Sequence, residues 1–326
     1  MEPMMKASLC TRYGGTEALE VCQTPRPARQ PGELLIRVHA SSINPVDWKI
    51  LRGDLRILFG RRPPPILGGD FAGVVLEADA SSRFQPGDRV WGLTEIRKLR
   101  RTPGAHAEIT RCASKLVDAM PERLSFEEAA SVPLVGLTAY QSLVHHAHLQ
   151  PGQRVLINGC SGGVGLIAVQ LARALGASVV GVCSATNRSV ALQAGCDEVI
   201  DYQEHNLLDE DLKVDVWFDV VGNQSLGAVR HQLAPAGCYL NIVKLISTSI
   251  SSWFNPIRGQ KSHAVFVSPS ASDLAHLREL IQQGDLHPVI ERIYPLDQIA
   301  DAYKRSRSKR TVGKLVISMP DSLLPL

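Results

Sequence analysis

The chain has 326 residues, of which 44% are apolar and 21% charged, an ordinary soluble globular balance with room for one large domain or two smaller ones. The formal charge of +3 is too small to indicate nucleic acid or a membrane surface by itself, and no apolar run approaches the roughly 20 residues of a bilayer span. The opening MEPMMKASLCTRYGG lacks an apolar stretch, so no secretory signal is expected and the default location is cytoplasmic. The seven cysteines are widely spaced, none in a Cys-x-x-Cys pair, which predicts reduced, mostly buried thiols rather than a disulfide framework or a structural zinc site.

The first third reads as β-rich. LLIRVHA at 34–40 alternates as a half-buried strand does, and FAGVVLEA (71–78) and DRVWGL (88–93) follow as two more. Directly after the first of them comes SSINPVDWKI (41–50), which is either an ordinary strand-to-loop transition or the wall of an active site. RRPPPILGGD (61–70) is a loop, because three prolines fit neither a helix nor a central strand.

The middle changes character. Ser125, followed by Glu127 and Glu128, predicts a helix start, and helical spacing continues to 147. RVLING, GVGLIAVQLARALGA (163–177), SVVGVCS (178–184), NRSVALQAG (187–195), DEVID (197–201), VDVWFDVVG (214–222) and GCYLNIV (237–243) then alternate strand with helix. The pattern predicts βαβ units and a parallel sheet. HAVFVS (263–268) reads as a strand, SDLAHLRELIQQGDL (272–286) as a helix, and GKLVIS (313–318) as a closing strand.

VLINGCSGGVGLIAVQLA carries the most chemistry. A buried strand runs into a Gly-rich turn and a helix opens at once, with glycines at 159, 162 and 165. The candidate cradle is Gly159, Ser161, Gly162, Gly163, Val164 and Gly165. Gly159 allows the turn, Gly162 and Gly163 admit a pyrophosphate to backbone N–H groups, and Gly165 lets helix and strand approach. The positive end of the helix then faces the phosphates. The second strand ends in Cys183-Ser184-Ala185-Thr186-Asn187-Arg188, where an NAD enzyme usually carries Asp or Glu about 20 residues past the turn. With Ser184 and Arg188 able to bind a 2′-phosphate, the cofactor is read as NADPH; Arg188 as a plain solvated arginine is the alternative. Tyr202 either faces the adenine-ribose edge or packs.

SSINPVDWK, GGDFAGVV, QPGDRVWG, PERLSFEEAASVPLVGLTAY, PGQRVLINGCSGGVGLIAVQLARALGA, GCDEVIDY and GKLVI together resemble the zinc-free quinone oxidoreductase (zeta-crystallin-like) branch of the medium-chain dehydrogenase/reductase superfamily. The resemblance implies an α/β chain. Residues 1–123 and 285–326 would form a GroES-like β-rich catalytic domain, and residues 124–284 a Rossmann doubly wound parallel-sheet domain that binds NADPH. Zinc-dependent relatives carry Cys where this chain has Asn44, and Gly-His-Glu where it has Gly69-Asp70-Phe71, so no metal is expected. The resemblance places Asn44 beside the nicotinamide and brings Thr138 toward it from the other domain. It also implicates Lys49 in the site and lets Lys314 reach the cofactor. As a competing reading, Lys49 is a surface lysine at the end of a short helix.

A metal-free site suits hydride delivery to a quinone or an α,β-unsaturated carbonyl. Two other readings stand: an enoyl reductase acting on carrier-bound thioesters, and a non-catalytic NADPH-binding sensor. RGDLRILFGRRPPPILGG, EIRKLRRTPGAH and YKRSRSKRTVGK are basic, and are read either as solvated surface or, for the first two, as a dock for an acidic carrier protein. His145, His146 and His148 are read as an exposed helix end. HAVFVS is either the edge strand of a homodimer or an internal edge.

Overall fold

A computed structural model describes residues 3–95, 99, 103–243 and 259–320. Residues 96–98 and 100–102, in the middle of the second basic stretch, lie outside the described residues. The chain divides into two units, one of Met1–Leu134, Ser268–Gln282 and Pro288–Leu326, the other of Val135–Val267 and Gln283–His287.

The first unit is β-rich. β1 (Met4–Cys10) and β2 (Leu19–Pro25) form an antiparallel hairpin. β3 (Glu33–Ile43), β4 (Asp70–Glu77), β5 (Arg89–Leu93), β6 (Ile109–Ala113), β7 (Val117–Ala119), β14 (Ile290–Pro295) and β15 (Lys314–Ser318) build a seven-stranded sheet. Its order is β14-β15-β3-β4-β5-β7, with β6 also on β3. β3 runs three residues past the predicted end at Ala40, because β15 pairs Leu315 with Ile43, Val316 with Ser42 and Ile317 with Ser41. Leu34, Ile36, Val38, Phe71, Val75, Val90 and Ile317 supply the buried core of this sheet. Helix α1 (Pro45–Arg52) follows at once. Pro45 has the preset φ for a first helical position, and Gly53 closes the helix in the left-handed region at φ 93°.

The predicted helix over 125–147 is divided in three. Ser125 caps α3 (Phe126–Ala130) through a capping box, with Glu128 N donating to Ser125 Oγ at 3.1 Å and Ser125 N donating to Glu128 Oε2 at 2.8 Å. Pro133, which has no N–H, starts a new helix, α4 (Pro133–Tyr140), and the chain then widens into a π-helical stretch at Gln141–His146.

In the second unit, β8 (Arg154–Asn158), β9 (Ser178–Cys183), β10 (Glu198–Asp201), β11 (Val214–Asp219), β12 (Leu233–Asn241) and β13 (Lys261–Ala264) form an all-parallel sheet. Its order is β10-β9-β8-β11-β12-β13. Counted within the unit this is 3-2-1-4-5-6, so the switch point falls between β8 and β11, beyond their C-terminal ends. Strand β13 is shorter and earlier than the predicted 263–268, because pairing with β12 stops at Ala264 and leaves Phe266 57% exposed. Helices α5 (Gly163–Ala174) and α6 (Arg188–Ala194) follow β8 and β9 as predicted. Among the described residues, no helix is long and apolar enough to cross a membrane.

Candidate active site: a dinucleotide turn and a buried polar cluster

At the end of β8, Gly159 takes φ 91°, a conformation that a side chain strains. A Cβ on Gly165 would stand 2.2 Å from Gly159 O and 2.7 Å from Cys160 Cα, so α5 lies against the turn at a distance only glycine permits. A Cβ on Gly162 would meet nothing nearer than Gly159 O at 3.7 Å. The turn therefore has open room in front of Gly162 where a pyrophosphate can approach backbone N–H groups. Ser161, Gly163 and Val164 complete it at the start of α5. These residues fit a dinucleotide.

The loop after β9 is tied to this turn. Asn187 Nδ2 donates to Ser161 Oγ at 3.1 Å, and Ser184 Oγ lies 2.9 Å from Thr186 Oγ1. Arg188 is exposed, with one guanidinium nitrogen donating to Val199 O at 2.9 Å. Tyr202 is 59% exposed. Sequence reasoning missed Asp201, which ends β10 opposite Cys183. Its carboxylate accepts from Ala185 N and Gln203 N, each at 2.9 Å, and so holds the loop by its backbone.

Asp219 at the end of β11 was likewise missed. Fully buried, it accepts from Asn158 Nδ2, Gly222 N, Gln224 N, Tyr239 Oη and Asn241 Nδ2 at 2.8–3.2 Å. Such a buried carboxylate is tolerable because donors surround it, and here it knits together the C-terminal ends of β8, β11 and β12. Thr138, on α4, is buried in the second unit.

The first unit holds the second group of candidate residues. Asn44 Nδ2 donates to Asp70 Oδ2 at 2.8 Å, and Lys314 Nζ donates to Asn44 Oδ1 at 2.6 Å. Lys314 Nζ also donates to Ile43 O at 3.1 Å and lies 3.6 Å from Asp70 Oδ2. Ser42 Oγ and Leu134 N add further bonds to Asp70, at 2.5 and 2.7 Å. All four side chains are buried. The ammonium of Lys314, predicted to reach a cofactor, is thus engaged within the protein. Burial lowers its pKa while the Asp70 and Asp47 carboxylates push it back up. Lys49 stands apart from this group. It is half-buried, with its Nζ 5.8 Å from the Trp48 ring centroid, and Asp54, Lys309 and Arg52 are its charged neighbours.

Zinc does not fit these residues. Position 44 offers an amide and position 70 a carboxylate already bound by an ammonium, where a catalytic zinc site needs about three thiolate, imidazole or carboxylate ligands. A divalent cation would also meet the charge of Lys314.

Beneath the cluster, Asp47 Oδ2 accepts from Asn44 N at 2.8 Å. Burial pushes its carboxyl up to about 7, against the backbone N–H of Asn44. His106 is also buried, its ring bonded to Tyr303 Oη at 3.3 Å, and burial pushes it down to about 4. The raised Asp47 value has a definite sign. Between about pH 4 and 7 the native carboxyl keeps a proton that the unfolded one releases, so stability falls as pH rises through that window. At about 1.4 kcal/mol per pH unit the fall is about 4 kcal/mol. Asp47→Asn, which keeps a neutral acceptor, is expected to remove this slope. Denaturant unfolding of wild type and variant across that range gives the difference profile, in which the opposite contribution of His106 cancels.

None of the seven cysteines is in a disulfide; six are buried and Cys22 is half-buried. Among the described residues, no group of three or more His, Cys, Asp or Glu is placed to hold a metal ion. The rings of His146 and His263 stand 5.3 Å apart.

Comparison with known proteins agrees with this geometry. Residues 30–122 match the family described as alcohol dehydrogenase GroES-like domain, and residues 194–317 that described as zinc-binding dehydrogenase. The chain is 31% identical to a chloroplastic quinone-oxidoreductase homolog of Spinacia oleracea, covering 93% of this chain and 95% of the relative. It is 30% identical to the quinone oxidoreductase of Pongo abelii, over 97% and 98%. The solved quinone oxidoreductase of Coxiella burnetii superposes with a TM-score of 0.88 at 28% identity, covering 98% of this chain and all of that one. With a GroES-like β-rich unit, a doubly wound dinucleotide unit and a donor set that does not suit zinc, the chain belongs to the zinc-free quinone oxidoreductase branch of the medium-chain dehydrogenase/reductase superfamily.

Proposed function

We propose that this oxidoreductase uses NADPH to reduce quinones or α,β-unsaturated carbonyl compounds without zinc. The observation that carries the reading is the pairing of a Gly159–Gly165 turn open at Gly162 with a loop at 184–188 that carries Ser184 and Arg188 and no acidic side chain. The turn's N–H groups hold the pyrophosphate; Ser184 and Arg188 hold a 2′-phosphate, and Tyr202 borders the adenine ribose. Asp201, the nearby acid, is already committed to two backbone N–H groups.

When bound, the nicotinamide supplies a hydride to an electron-poor carbon or a quinone. The chain's own part is to orient the acceptor and to stabilise negative charge on its oxygen. Asn44 is suited to this because Lys314 and Asp70 fix both ends of its amide. Thr138 and Lys49 are the other proposed contacts, and solvent supplies the final proton.

The test is NADPH oxidation against a panel of quinones, enals and enoyl thioesters. Turnover with free quinones or enals is expected. Turnover confined to carrier-bound thioesters would make this a pathway enoyl reductase, and tight NADPH binding with no turnover would make it a sensor. Unchanged reduction by Lys49→Ala would remove Lys49 from the site. For cofactor choice, Arg188→Glu is expected to weaken NADPH binding at least ~10-fold, since it replaces a phosphate-binding cation by a repelling anion. Nicotinamide fluorescence titration should show NADH binding little changed; equal NADPH affinity in both proteins overturns the assignment.

A further inference from the structure

Helix α2 (Arg56–Phe59) is a single turn in the first basic loop. Phe59 anchors it, 1% exposed in the core, while Ile57 is 93% and Leu58 53% exposed. The turn is braced from behind. Arg56 stacks its guanidinium 4.6 Å from the Tyr13 ring centroid, and Tyr13 Oη bonds to Gly60 O and Arg62 O at 3.0 and 3.1 Å. Pro63, Pro64 and Pro65 stiffen the chain beyond it. Two bulky apolar side chains are therefore held out into water by a fixed support, at the cost of their hydration.

Cations surround them. Arg56, Arg61 and Arg62 flank the pair and are exposed. The end of helix α7 (Ile299–Arg307) and the residues just after it add Arg307, Lys309 and Arg310, also exposed. This second set is linked to the first through α1 and the segment around Tyr13. Trp48 Nε1 donates to Ser306 Oγ at 3.2 Å, Gly14 N donates to Leu51 O at 2.9 Å, and Glu17 feels both Arg12 and Arg307. Among the described residues none of these six cations has a carboxylate within ion-pair distance. The overall charge of +3 hides this local concentration.

We propose that this face of the first unit docks on an anionic lipid surface, with Ile57 and Leu58 entering the headgroup layer and the six cations against lipid phosphates. Apolar side chains ringed by Arg and Lys are the composition that binds membrane interfaces. The pair projects from a turn, which suits insertion between headgroups better than the seating of an acidic helix. Such docking would bring the enzyme to apolar acceptors dissolved in lipid. The surface itself stands independently of the cofactor reading.

The full chain is sedimented with vesicles of phosphatidylcholine alone and with vesicles containing about 30% phosphatidylserine, at low and high salt. Binding to the anionic vesicles alone is expected, with loss at high salt. Each cation near the surface contributes roughly fivefold, so Arg61→Glu with Arg62→Glu should weaken binding at least ~25-fold. Ile57→Asn with Leu58→Asn should weaken it ~10-fold or more while preserving the salt slope. Unchanged thermal unfolding and NADPH oxidation in these variants exclude misfolding. Ile57→Trp should blue-shift its emission when anionic vesicles are added. Equal sedimentation with both vesicle types, sedimentation with neither, or variants that bind like wild type overturn the proposal. So does patch-dependent binding of an acidic carrier protein by a chain that ignores vesicles.

Discussion

Lys314→Met is expected to destabilise the first unit by about 3–5 kcal/mol, the usual cost of removing one partner from a buried ion pair. Methionine has nearly the length and volume of lysine, so little of the loss comes from a cavity. What changes is charge. Asp70 keeps Ser42, Asn44 and Leu134 as donors but loses the one cation within ion-pair distance among the described residues, and Asn44 Oδ1 loses the ammonium that holds it. The deficit should shrink in acid, where Asp47 takes up a proton and no longer needs a counter-charge. Urea unfolding at neutral and acid pH measures both effects. A loss within about 0.5 kcal/mol at neutral pH, with only the affinity for NADPH altered, would instead mark Lys314 as a cofactor contact of little structural weight.

The second large effect separates two glycines three residues apart. Gly165→Ala places a methyl group 2.2 Å from Gly159 O, against backbone that cannot rotate away. Helix α5 must shift from its strand, at about 1–3 kcal/mol or more, and its N-terminus leaves the pyrophosphate position. Loss of NADPH affinity by ~100-fold or more is expected together with lowered stability. Gly162→Ala meets no atom closer than 3.7 Å, so its unfolding should match wild type within about 0.5 kcal/mol. Its methyl group nevertheless occupies the room left for phosphate, and ~10-fold or greater weakening is expected from the clash alone. Calorimetric titration with NADPH beside thermal unfolding reads the pair. Equal NADPH affinity in Gly162→Ala and wild type would move the pyrophosphate away from this turn.

The second unit was legible in the sequence because its signals are local. Strands of continuous Val, Ile and Leu, the turn at 159–165, and the glycine that ends α6 each declare themselves within a few residues. The first unit was less so. Ser42 and Ile43 belong to a strand because β15 pairs with them, and that partner lies some 270 positions away in sequence. Asn44, Lys49 and Lys314 were named without their geometry. Nothing local distinguishes Asp70 as the acceptor that holds both Asn44 and Lys314. His106 and Tyr303 meet for the same nonlocal reason. Pro133 was visible as a helix breaker but stood inside a run whose apolar spacing read through it.

Strand β15 lies between β14 and β3 rather than at an edge of its sheet. During synthesis, β3 and β4 emerge early and wait through the entire parallel-sheet unit before β15 arrives. Until then the edge of β3 that β15 will cover at Ser41, Ser42 and Ile43 has no strand beside it, and the Asp70 carboxylate lacks the Lys314 ammonium. Closing so long a loop is slow unless the intervening unit folds first and draws the two ends together. A chain interrupted before residue 314 would retain the dinucleotide turn but lack the strand that completes the catalytic sheet, so cofactor binding and reductase competence should be gained at different moments of biogenesis.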